Sequence, residues 1–297
     1  MPRNTSRLKK KIGYFLFSLP ALVLFSILFG IPMIRGFYFS MTDWNGLVKT
    51  FKFTGFTNYL TMFNDARTVN SFSFTIRYTL LLVVCVLVLA MALALIVSYA
   101  IGPRSRTFFR SMFFAPVVLS LITVGLIFNE IFYRIIPQLG RMLGSEVLSR
   151  NILGNPKTVI YGILIVNIWQ GVGIPFVMIL AGLQNIPSDL YEAAIIDGAN
   201  AVQVFRRITI PFLLPVINIA FVLTFKNGLT VFEYIQAMTD GGPMRASESL
   251  GYLIYKLAFW EVQMNYAMSL SVVLLIVISL VSYAQIKFSS RFEAGQL

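Results

Sequence analysis

The stretch "YEAAIIDGANAVQVFRRITIP", Tyr191 to Pro211, lies between two long apolar runs, yet it carries Glu192, Asp197, Arg206 and Arg207, with a glycine at Gly198. A compact charged segment between such neighbours is expected where a chain leaves hydrocarbon and turns back into it. The flanking runs, residues 158–183 and 212–238, are both long enough for that reading, since a crossing needs about 20 mostly apolar residues.

Four more runs of the same kind follow outward along the chain, at 13–34, 78–99, 111–129 and 263–286. Composition agrees: hydrophobic residues make up 57% of the 297 and charged residues 12%, whereas a soluble domain is about 45–50% apolar and about 25% charged. The expected fold class is all-α, a polytopic membrane protein of six transmembrane helices. Residues 1–12 form an N-terminal tail, 13–286 a transmembrane domain and 287–297 a C-terminal tail.

The first run follows the basic stretch "RNTSRLKKK", but it is too long for a signal-peptide core and no small-residue cleavage site follows, so an uncleaved anchor is expected. Placing both termini in the cytoplasm puts Arg3, Arg7, Lys9, Lys10, Lys11, Arg104, Arg106, Arg110, Arg206, Arg207, Lys287 and Arg291 on the inner side, where basic residues concentrate. The outer loops are then the longer ones and hold the turn signals "DWNG" and "TDGGP".

Several function classes drop out. Histidine is absent, which removes Ser-His and Cys-His dyads and histidine-ligated metals. The single cysteine, Cys85, cannot form an intrachain disulfide. The net charge of +12 belongs to residues flanking apolar runs, so anionic lipid and topology explain it better than nucleic acid. No G-x-x-x-x-G-K-[ST] phosphate loop is present.

Within the opening stretch, Ser188 is a candidate N-cap, Asp189 suits the positive end of the helix dipole, and Gly198 can take the left-handed conformation that ends a helix. Asn200 with Gln203 has the pattern of a capping box, and Val202, Phe205 and Ile208 form an apolar stripe. The expected product is helix, glycine elbow, helix, outside the hydrocarbon, with Pro211 opening the next span. An amphipathic connector lying in the interface accounts for the charges equally well.

The spacing Glu192-Ala193-Ala194, three residues, Gly198, nine residues, Ile208, one residue, Ile210-Pro211 resembles the EAA motif of permease subunits of binding-protein-dependent ABC importers; isoleucine at 210 departs from the commoner leucine. "SMTDWN" at 40–45, "FTGFTNY" at 53–59, "FFRSMFFAP" at 108–116, "LAGLQNIPSDLYEAAIIDGA" at 180–199 and "MTDGGP" at 238–243 resemble the sugar-importer permeases of the maltose-transporter type. The resemblance covers nearly the whole chain. It implies a transporter core at 71–286 and a cytoplasmic coupling loop at 184–211, between spans four and five.

In that family the EAA segment docks on a cytoplasmic ATPase. The resemblance therefore implies that Glu192, Ala193, Ala194, Asp197, Gly198, Arg206 and Arg207 make this contact. It further implies a second permease, two ATP-binding subunits that use ATP and Mg, an extracytoplasmic solute-binding protein, and residence in a bacterial or archaeal plasma membrane. No cofactor is expected on this chain, and no catalysis.

For the solute pathway, ionisable residues inside a span are functional candidates. Lys226 and Glu233 stand seven residues apart, close to one helix face. In the fourth span Gly171, Gly173 and Pro175 should bend the helix, while Asn167, Trp169 and Gln170 supply amides and an aromatic ring. The family resemblance adds Gly171, Ile174, Thr224, Asn227, Gly228 and Val231 as residues beside the solute. Asn227→Ala and Gln170→Ala are then expected to impair uptake while the complex assembles. The implied cargo is a carbohydrate; a polyol, glycerol phosphate or acidic sugar is the alternative. A secondary transporter or channel would show internal inverted repeats, and none is visible. A membrane enzyme lacks paired acids or an activated nucleophile here.

Overall fold

The computed structural model describes residues 3–99 and 101–293. They form sixteen α-helical segments and no strand. In chain order these are α1 (Arg3–Phe25), α2 (Ile31–Phe39), α3 (Thr57–Asn64), α4 (Ala66–Tyr99), α5 (Pro103–Phe114), α6 (Leu121–Glu130), α7 (Ile136–Met142) and α8 (Glu146–Ser149). Then follow α9 (Val159–Gly171), α10 (Gly173–Gln184), α11 (Ser188–Ile196), α12 (Ala201–Val204), α13 (Ile210–Leu229), α14 (Glu233–Met238), α15 (Leu250–Phe259) and α16 (Met264–Glu293). Four unbroken helices are long and apolar enough to cross a membrane, and six spans result if two bent pairs each count as one.

The chain divides into two units. One holds the described residues up to Asn64 together with Ile254–Val273. Here α1 and α2 join through a π-turn at Ser26–Gly30 into a continuous helix whose candidate span is Gly13–Phe39. The connector beyond it is held by stacking of Phe39 on Trp44 at 4.2 Å and by the backbone bond from Asn265 N to the Trp44 carbonyl, 3.0 Å.

The other unit, Asp65–Leu253 with the chain from Leu274 onward, contains the core. The small residues Ala90 and Ala94 on α4 are fully buried and let α10 and α13 pack close against it through Phe176, Ile179 and Leu213. A second cluster gathers Tyr78, Leu82, Ile163, Ile235 and Tyr252. Polar ties cross this unit: Arg67 donates through both Nε (2.8 Å) and Nη2 (2.7 Å) to the two oxygens of Glu248, whose side chain is buried.

Two of the expected spans differ from their sequence reading, and a third bends as expected. The run at 111–129 is not one helix: Ser105–Val118 and Leu121–Met142 meet at 91°. Pro116 takes part in a tight 3-10 turn, and Leu119 and Ser120 are extended. The carbonyl of Leu119 accepts from Gln170 Nε2 at 2.9 Å, which makes the break tolerable, because backbone groups released inside a membrane protein must find partners there. The run at 158–183 bends by 43° between α9 and α10, beside Gly171 and Gly173, as the sequence led one to expect.

The run at 212–238 is displaced. A single helix of 29 residues spans Ala201–Leu229, and the chain then loses helical form at Thr230–Phe232 before α14. Pro211 lies in the first turn of α13. The helix passes continuously through it, with a π-turn at Phe205–Thr209 just before; such a turn accommodates the missing donor and the bulk of the ring. At the far end the β-branched pair Thr230-Val231 is unfavourable in a helix, and Ser249 Oγ donates to the freed Val231 carbonyl at 2.6 Å.

Candidate functional site

Two breaks face each other in the core unit, the bend at α9–α10 and the gap between α13 and α14. Between them lies a cavity of about 400 Å3 whose lining includes Asn167, Gln170, Gly171, Ile174, Thr224, Lys226, Asn227, Thr230, Val231, Glu233 and Tyr234. Nine of the eleven pathway candidates read from the sequence are in that set. The exceptions are Trp169 and Gly228. Trp169 points to the other side of α9, where its ring lies 5.3 Å from Phe128. Gly228 is packed on α4: a Cβ there would stand 2.8 Å from Thr79 Cγ2 and 2.9 Å from the Thr79 Cα. Its lack of a side chain is what lets α13 and α4 touch.

The lining divides by what its polar groups already do. Gln170, only 2% exposed, has both ends of its amide engaged, one with the Leu119 carbonyl and the other accepting from Tyr234 Oη at 2.7 Å. Asn167 donates to Tyr78 Oη at 2.7 Å. Thr224 and Thr230 return their hydroxyls to the carbonyls of Ala220 and Lys226. Gln170 and Asn167 thus brace the bends, while the two threonine hydroxyls are spent on their own helix. Lys226 and Asn227 are exposed, Glu233 is half-buried, and none of the three makes a side-chain hydrogen bond or ion pair among the described residues. The gap at Thr230–Phe232 puts Lys226 and Glu233 on separate helices, so they are not neighbours on one helix face, yet they still line the same cavity.

Such a space can take a polar solute: its volume falls in the range of small-ligand pockets, about 300–1,000 Å3, and it offers a cation, an anion and an amide. A larger cavity of about 730 Å3 lies between α4, α5 and α9. Its walls are apolar apart from the Trp169 indole, so it offers a hydroxyl-rich solute almost nothing. Tyr234 and Thr230 were not among the sequence candidates. They adjoin Glu233 and Val231 in the chain, but only the break at the end of α13 turns them toward the cavity.

The charged stretch forms helix, elbow, helix. At the end of α11, Ala199 N bonds to the Ala194 carbonyl (2.9 Å) and Gly198 N to that of Ile195 (3.0 Å), with Gly198 at φ +73°. This is the paired-bond ending that requires a left-handed residue. Asn200 and Gln203 form the expected capping box at 2.8 and 2.9 Å. Two details differ from the sequence reading. Pro187, extended at ψ 131°, takes the cap position and Ser188 is already helical. Val202 is exposed, and Ile208 joins the core with Tyr191 instead.

Tyr191 ties this segment down. Its hydroxyl meets Thr209 Oγ1 at 3.2 Å and Tyr99 Oη at 3.3 Å, linking α11 to the start of α13 and the end of α4. Glu192, Ala193, Asp197, Gly198, Arg206 and Arg207 are exposed and Ala194 is half-buried. Around them Ile195 and Ile196 are 71% and 85% exposed, an apolar surface next to charges. No group of three or more candidate metal ligands occurs among the described residues.

The chain as a whole is similar to known proteins. Residues 87–292 match the family described as binding-protein-dependent transport system inner membrane component. The chain is 40% identical over 279 residues to the multiple sugar-binding transport system permease protein MsmF of Streptococcus mutans, covering 93% of this chain and 95% of that protein. It is 30% identical to the probable starch degradation products transport system permease protein AmyD of Thermoanaerobacterium thermosulfurigenes, covering 99% of each. A chain of a bacterial alginate ABC transporter, solved in complex with an alginate pentasaccharide-bound periplasmic protein, superposes with a TM-score of 0.82 at 21% identity, covering 97% of this chain and 98% of that one. That likeness carries the fold.

Proposed function

Because this chain belongs to the family of binding-protein-dependent transport system inner membrane components, we propose that it is a permease subunit of an ATP-driven importer and forms, with a second permease, a translocation pathway for a carbohydrate. In this reading each bent pair is one span, giving six, and both termini lie in the cytoplasm. The segment α11–α12 then faces the cytoplasm and docks on one of two ATP-binding subunits that use ATP and Mg. An extracytoplasmic solute-binding protein delivers the cargo. Sugars are favoured because relatives matching this chain nearly end to end carry sugar and starch-product names.

The observation that carries the proposal is the polar cavity between two broken helices. Irregular backbone at membrane depth is tolerated where it lines a cavity or is buried in protein, and here the breaks are braced by Gln170, Asn167 and Ser249 while Lys226, Asn227 and Glu233 remain available. Alternating access follows from the connections. The continuous helix Ala201–Leu229 runs from the elbow to the cavity wall, so a push on α11–α12 moves α13 as a rigid element. Tyr191 carries the same push to α4.

Reconstitution tests this. Purified wild-type chain should carry with it an ATPase bearing a phosphate loop, and proteoliposomes of the complex should take up sugar only with ATP and the binding protein. Ile196→Glu, which puts a charge on the exposed end of α11, should abolish ATPase association while the permease still folds. Undiminished ATP-driven uptake by that variant, or uptake by the chain alone, refutes the proposal.

A further inference from the structure

The connector after the first span contains a helix built the wrong way round for water. On α3 the side chains of Asn58 and Tyr59 face the protein. Asn58 Nδ2 donates to the carbonyls of Ser40 (2.8 Å) and Thr42 (3.0 Å), and Tyr59 Oη meets Ser40 Oγ at 2.6 Å. Met62 is buried on the same side. The other side presents Phe56, in the turn just before the helix, with Leu60 and Phe63, spaced i, i+4 and i+7, at 65%, 66% and 80% exposure.

The hydroxyls beside this stripe, on the exposed Thr57 and Thr61, are spent within their own turn. Thr57 Oγ1 donates to the Thr54 carbonyl (2.8 Å) and Thr61 Oγ1 to that of Thr57 (3.0 Å). Threonines that bond back to their own turn ask nothing of solvent. A soluble helix shows the opposite arrangement, with its apolar stripe toward the protein.

Position supplies the occupant. Ser40 is the residue after Phe39, where the Gly13–Phe39 span ends, so the Asn58 and Tyr59 bonds pin α3 within a side chain's length of that end. A helix held there lies at the boundary of headgroups and acyl chains, where helices rich in Phe and Leu on one face bury that face in lipid. We propose that α3 is an interfacial anchor, with Phe56, Leu60 and Phe63 sunk among phospholipid acyl chains. The anchor fixes how deep the first span sits and is independent of the cargo and of the coupling contact.

Spin labelling decides it. The native thiol is removed by Cys85→Ser, and single cysteines are placed by Leu60→Cys, Phe63→Cys and, as a control at an exposed charged position, Lys49→Cys. The assembled importer is labelled in vesicles of phosphatidylethanolamine and phosphatidylglycerol. Collisions with oxygen, which concentrates in lipid, are compared with collisions with a water-soluble nickel chelate. Labels at 60 and 63 should favour oxygen several-fold over the control and be shielded from nickel, with or without the binding protein. Nickel access at both positions overturns the proposal. So does shielding that appears only when the binding protein is added, which would mark a docking face, and so does shielding from both reagents, which would mark a protein contact. Should Phe63→Cys misassemble, Phe56→Cys reads the same stripe.

Discussion

Replacing Gln170 by alanine separates support of the cavity from contact with cargo. The side chain is 2% exposed and makes two hydrogen bonds, to the Leu119 carbonyl at 2.9 Å and from Tyr234 Oη at 2.7 Å. Hydrogen bonds between membrane helices are worth about 0.6 kcal/mol on average and at most about 1.7. Removing the amide also leaves the hydroxyl of Tyr234, a residue 4% exposed, without its acceptor, at about 1–3 kcal/mol where no water reaches it. The variant should therefore lose about 1–3 kcal/mol. For a chain of this size that lowers the apparent melting midpoint by several degrees, at about 2–4 °C per kcal/mol.

Asn227→Ala is the contrast. Asn227 is exposed in the same cavity and makes no side-chain hydrogen bond among the described residues, so its midpoint should stay within about 0.5 kcal/mol of the parent. Loss of one hydrogen bond to a sugar, about 1–1.5 kcal/mol, should still slow uptake about tenfold. Tyr234→Phe removes one of the two Gln170 bonds and should give about half of the Gln170→Ala stability loss. The assay is thermal unfolding of the detergent-solubilised complex beside uptake in proteoliposomes. If Gln170→Ala leaves the midpoint unchanged and behaves as Asn227→Ala does, the assignment of its amide to the bend is refuted.

Two further expectations follow from contacts in the core unit. Glu248→Ala removes the bidentate acceptor of the Arg67 guanidinium, whose side chain is 17% exposed, and should cost about 3–5 kcal/mol; the double variant Arg67→Met/Glu248→Leu should recover most of it, both read as the yield of monodisperse complex. Gly228→Ala drives a methyl group to within 2.9 Å of Thr79 on α4, so it should destabilise by about 1–3 kcal/mol and reduce uptake by moving the cavity wall; a parent-like midpoint and rate would show that α13 and α4 are not in close contact.

Much of this was legible along the chain. The apolar runs marked the regions where four unbroken candidate spans and two bent helix pairs occur, because hydrocarbon imposes a minimum length on any crossing. The elbow at Gly198 and the capping box of Asn200 and Gln203 were legible because they are settled within a few residues by backbone geometry and short-range hydrogen bonds. The 43° bend was signalled by Gly171, Gly173 and Pro175 for the same reason.

What the sequence could not decide were outcomes that depend on partners far along the chain. The break at Leu119 persists because Gln170, 51 positions away, takes its carbonyl, and the break after Leu229 because Ser249 takes that of Val231. Residue type put Trp169 with the cavity, and spacing put Lys226 and Glu233 on one helix face; the side of α9 that faces Phe128 and the gap at Thr230–Phe232 decided otherwise. In a membrane protein a helix may end wherever its freed backbone groups find donors and acceptors, and those donors and acceptors are supplied by the tertiary structure.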